Sequence, residues 1–177
     1  MKKYSVLVAV ALVLSVAFPA SAATLKGVNR TKITAVPAQL VGQGEQGGKI
    51  RAIYDTYELT ADVTTGQKFE MGGLLPSGAR VIDAVVFFDD LDGGSSGTVQ
   101  VGWSSTNTTA EADDVDGFLV LVDVNTAAGS QSMQGDQPTT AGNFKQFSAD
   151  VQPTLTVQGD TNTSSGTLSL LIMYLLD

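Results

Sequence analysis

Two short acidic runs are the stretches of this chain whose residue types invite a chemical reading: Asp89-Asp90-Leu91-Asp92-Gly93 and Asp113-Asp114-Val115-Asp116-Gly117. Carboxylates crowded into a loop offer hard oxygen ligands, and the cation suited to them is calcium. Asp89, Asp90, Asp92, Asp113, Asp114 and Asp116 are therefore the candidate calcium ligands. Neither run keeps the spacing of an EF-hand. Counted from Asp90, the twelfth position is Val101; counted from Asp114, it is Asn125, so the closing bidentate glutamate is missing from both. The same aspartates also read as solvated turn formers, whose carboxylates accept hydrogen bonds from nearby backbone.

Other chemistry is narrowed by what the chain lacks. It contains no histidine and no cysteine, which removes Ser-His-Asp and Cys-His catalysis, the usual zinc ligands, and disulfides. Lys68 and Lys145 are the lysines a serine nucleophile would draw on, but no motif surrounds either. A glycosidase needs two carboxyl groups flanking one bond in a cleft, and nothing selects a pair from the 18 acidic residues. A secreted hydrolase is the third-ranked reading, and the expectation is a protein that is not an enzyme and needs no cofactor. Ten basic residues against those 18 acids give a net charge of −8, which repels phosphate backbones and argues against nucleic acid as a partner.

The elements that would position these aspartates are strands. Gly78 to Trp103 reads as a hairpin: an apolar run from Ala79, then the acidic, glycine-rich turn, then Val99, Val101 and Trp103 in strict alternation with Thr98, Gln100 and Gly102. The first strand is apolar on both faces. Ile82, Ala84, Val86 and Phe88 make one, which we assign to the core. Val81, Asp83, Val85 and Phe87 make the other, which we assign to a subunit interface, because a second apolar face must also be covered. Gly48 to Thr60 and Thr167 to Leu176 share this two-faced character. Lys68 to Gly72 and Thr154 to Gln158 read as shorter strands, Phe118 to Val122 as a strand or a helical turn, and Thr126 to Gly142 as a long exposed loop.

Lys2 and Lys3, the apolar run Val6 to Phe18 and the small residues Ala20-Ser21-Ala22 have the layout of a secretory signal peptide. The expected organisation is a leader over 1–22, cleaved or kept as a hydrophobic anchor, a flexible N-terminal arm over 23–47 and one domain over 48–177. With the leader removed, no membrane contact is expected. Abundant Gly, Ser and Thr without amphipathic helical patterns point to an all-β fold, a single antiparallel β-sandwich.

The ordered set GKIRAIYDTYEL, LLPSGARVIDAVVFFDDL, VQVGWSS, ADDVDGFLVLVDVNTAAG and GTLSLLIMYLLD resembles a family of small, head- or tail-associated virion structural proteins of tailed bacteriophages. The matching positions are Gly48, Lys49, Arg51, Pro76, Gly78, Trp103, Asp114, Asp116, Gly117, Asp123 and Tyr174. The resemblance covers roughly residues 48 to 129 and 153 to 177. It implies a jelly-roll-like sandwich and a non-enzymatic subunit that assembles with itself and with other virion proteins. The signal-like segment departs from that pattern. It keeps open an exported β-sandwich at the cell surface, either a filament or surface-layer subunit or an adhesin that stacks glycans on Trp103 or Tyr54.

Overall fold

Among the described residues eight strands form, most of them rich in β-branched and aromatic residues: β1 (Ile50–Leu59), β2 (Lys68–Glu70), β3 (Ala79–Phe88), β4 (Thr98–Ser105), β5 (Asp114–Asp123), β6 (Gly129–Ser132), β7 (Val151–Val157) and β8 (Gly166–Leu176). The computed structural model describes residues 32, 35–40, 49–60, 63–91, 97–125, 127–136, 141–159 and 166–176. The chain divides into two compact units, Met1–Val41 and Gly42–Asp177. The expected leader and most of the expected arm lie outside the described residues. In the first unit, Ala35 and Gln39 donate their N–H groups to the Lys32 carbonyl at 3.2 and 2.9 Å.

The second unit holds two four-stranded sheets, ordered β1-β8-β3-β6 and β2-β7-β4-β5, with every pair antiparallel. Every connection except β4 to β5 passes from one sheet to the other, the winding of a jelly roll. One core cluster draws on both sheets, with Val81, Val86, Leu170 and Ile172 meeting Val99, Leu155 and Val157. Each such side chain contributes about 1.5–3 kcal/mol when fully buried. Trp103, Phe118 and Phe147 form its largest knot, with ring centroids 5.0 Å apart from Trp103 to each phenylalanine.

Two expectations change here. β3 and β4 do not form a hairpin: β3 pairs with β8 and β6, while β4 pairs with β5 and β7. The acidic turn between them is a crossover joining the sheets, and its residues 92–96 lie outside the described residues. The stretch from Thr126 to Gly142 is not simply a loop. It contains β6, the edge strand beside β3, and a helical turn, Met133–Asp136, that buries Met133 completely.

The turn into β3 follows its composition. Ala79 N–H donates to the Pro76 carbonyl at 2.9 Å, and Gly78 holds φ at 87°, the left-handed position that such a turn gives to glycine. Phe118 to Val122 resolves as strand, within β5. Among the described residues no helix is long and apolar enough to cross a membrane.

Candidate assembly surface

Alternation decides which side chains leave the sandwich. In β8, Leu168, Leu170, Ile172 and Tyr174 enter the core, so Leu171, Met173 and Leu175 face outward with Thr167 and Ser169. Register arranges the outer face of this first sheet in rows. Tyr54, Leu171 and Val85 form one row across β1, β8 and β3; Ala52, Met173 and Asp83 form the next; Thr56, Ser169 and Phe87 lie on its other side. Ile50 is 64 % exposed, Tyr54 63 % and Phe87 40 %. Hydrogen bonding by Ser169, and then by Thr56, lowers the pKa of the Tyr54 hydroxyl from its ordinary value.

β3 changes face part way along. Val81 sits opposite Tyr174 and Asp83 opposite Met173, so Ile82 is the extra residue of a β-bulge. Before the bulge Ala79 and Val81 point inward; after it Ala84 and Val86 do. Of the four residues assigned to an interface, Asp83, Val85 and Phe87 lie on the outer face. Val81 does not: it is fully buried in the core, because the bulge reverses the parity of the strand. Ile82, assigned to the core, is only half-buried.

Asp83 is held within the chain. Its carboxylate accepts from Ser132 Oγ at 2.9 and 3.0 Å. Gln134, in the helical turn, donates its N–H to the same hydroxyl and its Nε2 to the Ile82 carbonyl at 2.8 Å. Sequence reasoning missed this network, since its partners lie about fifty residues apart in the chain.

The outer face of the second sheet is of another kind. Lys68 of β2 crosses β7 to donate to Ser104 Oγ of β4 at 3.0 Å, its stem lying over the strand that carries the buried Thr154 and Thr156. Gln158 Nε2 donates to Gln100 Oε1 at 2.6 Å. The Lys68–Ser104 pair is exposed, and the amine gives a hydrogen bond to the hydroxyl, whereas a general base would take one.

Three of the candidate metal ligands accept from backbone N–H groups. Asp89 accepts from Thr167 N–H at 2.9 Å, Asp113 from Ser105 N–H at 2.7 Å and Asp114 from Asp116 N–H at 3.3 Å. Asp90 is exposed, and Asp92 lies outside the described residues. Among the described residues no three carboxylates come together as a metal site. The local turn and strand ends take up the acceptors one at a time. Burial, followed by the side chain of Asp116, raises the Asp114 carboxyl above its ordinary value.

One tighter polar cluster lies at the end of the second sheet. Lys145 Nζ meets Glu111 Oε1 at 3.0 Å, Glu111 Oε2 accepts from Ser148 N–H at 3.1 Å, and the ammonium stands 5.7 Å from the centroid of Trp103. Trp103 Nε1 donates to the Ala112 carbonyl at 2.9 Å. The indole is therefore buried and cannot stack a glycan, which overturns its part in the adhesin reading. A Cβ added at Gly117 would meet the Trp103 ring and one at Gly142 the Phe118 ring, so backbone packs closely against these aromatics.

No family model matches this chain, and no curated protein matches it in sequence. Among solved structures it is similar to a chain of the capsid of Ralstonia phage GP4, with a TM-score of 0.59 and 20% identity over 73% of this chain and 86% of that one. It is also similar to a chain of the cyanophage Pam1 capsid asymmetric unit, with a TM-score of 0.52 and 16% identity over 91% of this chain and 99% of that one. At these identities the shared property is the fold.

Proposed function

We propose that this chain is a non-enzymatic structural subunit of a bacteriophage virion, set in or on the capsid, which joins copies of itself and other virion subunits. The observation that carries the reading is the apolar outer face of the first sheet, borne on a jelly roll whose solved counterparts include phage capsid chains. Exposed apolar patches larger than a few hundred Å² mark interaction surfaces. On this face Ile50, Tyr54 and Phe87 are exposed, and Val85, Leu171 and Met173 lie half-buried beside them. Of the two lysines weighed for catalysis, Lys68 donates to Ser104 and Lys145 pairs with Glu111.

A second reading is favoured by the signal-like segment: an exported filament or surface-layer subunit. Its glycan-binding form retains only Tyr54 of the two aromatics it relied on. Mass spectrometry of purified phage particles and of culture supernatant from the producing strain separates the two. Peptides from residues 49–176 recovered in stoichiometric amounts from particles support the virion reading. Their absence from particles and presence in the supernatant overturns it.

A further inference from the structure

A sheet edge exposes unpaired N–H and C=O groups, and natural proteins blunt such edges with short strands, bulges, charges or covering segments. Three of the four edges here are treated in this way. β2 is three residues long and carries Lys68 and Glu70; β6 is four residues long and runs into a helical turn; β5 is broken by two register shifts. β1 also carries charge, at Arg51, Asp55 and Glu58, but among the described residues it is the edge that is both long and regular. It runs ten residues beside β8 without a register shift and contains neither proline nor glycine.

Resting on the reading that the chain assembles, we propose that β1 pairs antiparallel with β1 of a second copy about a two-fold axis at Ile53, joining two first sheets into one of eight strands. Charge selects both the occupant and the register. Arg51, Ile53 and Asp55 share the inward face of β1. Asp55 also accepts from Gly72 N–H at 2.7 Å and Thr56 N–H at 2.8 Å, so its carboxylate is fixed in place. An inward charge on an edge discourages a strand that offers it no partner. With the axis at Ile53, Arg51 of each copy stands directly across from Asp55 of the other, twice over. With the axis at Asp55, two like charges would stand opposite each other. The pairing also places Tyr54 across from Ala52 of the second copy on the outer side, so the two apolar outer faces become continuous.

The chain has no cysteine, so a single introduced thiol reports register without background. Directly opposed residues have Cβ atoms about 4.5–5.5 Å apart, within small adjustment of disulfide geometry. Full-length Ile53→Cys, mildly oxidised, is expected to run as a covalent dimer. Glu58→Cys, several residues from the axis, is expected to stay monomeric on the same gel. Arg51→Glu, an exposed change, is expected to weaken dimerisation on sedimentation by about tenfold or more while leaving the far-UV spectrum and melting temperature as in the parent chain. If the parent chain assembles but Ile53→Cys links no better than Glu58→Cys, or Arg51→Glu sediments as the parent does, this pairing is overturned and the structural-subunit reading stands. A parent chain that stays monomeric at every concentration overturns both.

Discussion

The two outer faces of the sandwich are each built from four antiparallel strands among the described residues, yet they treat solvent differently. On the first sheet the rows running through Tyr54, Leu171 and Val85 present apolar groups, and charge is confined to Glu58, Arg80 and Asp83. On the second, Lys68, Gln100, Ser104 and Gln158 satisfy one another, and the β5 backbone closes over Gly102 so tightly that a Cβ there would meet Asp114 and Val115. The contrast is one of degree, since Leu121 of β5 is also exposed and, among the described residues, the buried hydroxyls of Thr154 and Thr156 have no hydrogen-bond partner. The face that leaves more aliphatic and aromatic side chains in water gains more free energy from a neighbour, at roughly 25 cal/mol for each Å² of apolar area removed.

The largest effect should come from the interior that both faces share. Trp103→Ala removes the ring that packs on Phe118 and Phe147 and the hydrogen bond to Ala112. It should cost about 3–5 kcal/mol in denaturant unfolding, destroying the contrast between faces along with the fold. Adding a small apolar group to each face sharpens the contrast. Gly102→Ala on the second sheet should cost about 1–3 kcal/mol because backbone must move. Ala52→Val, on the exposed first face, should change unfolding of the isolated subunit by less than about 0.5 kcal/mol.

Asp114, at the rim of the second sheet, gives a pH-dependent contrast. Its carboxyl is raised in the folded chain, first by burial and then by Asp116. The neutral form is therefore the one the fold favours: its contribution is fully present below the ordinary carboxylate value and is lost as pH rises through the raised one. Asp114→Asn should therefore raise the melting temperature at pH 7, by less than about 1 kcal/mol equivalent once solvent screening is counted. At pH 3 it should give no gain.

Much of this architecture is legible in the residues themselves. Alternation in Val99, Val101 and Trp103 and in Leu155 and Val157 places β4 and β7; of the strands apolar on both faces, β8 and β3 lie inside a sheet while β1 lies at an edge. The misreadings have physical causes. A bulge at Ile82 reverses the faces of β3 without any mark in composition, so Val81 belongs to the core. β6 is Gly-Ser-Gln-Ser, an edge strand held by backbone hydrogen bonds to β3, and it leaves no apolar signal. β3 and β4 are neighbours in sequence, but each finds its partners far along the chain, and local patterning cannot express that. In the acidic runs, Asp89, Asp113 and Asp114 accept from backbone donors, in keeping with the turn-forming reading given beside the calcium one.

The contrast between faces is tested most directly by sedimentation of the full chain over a concentration series, beside Leu171→Glu on the first outer face and Gln100→Glu on the second. The parent and Gln100→Glu should assemble alike. Leu171→Glu should remain folded and associate on the order of a hundredfold more weakly, as expected for a charge set among apolar contacts. Equal assembly by all three, or a parent chain that stays monomeric throughout, would contradict the assignment of the first outer face to assembly.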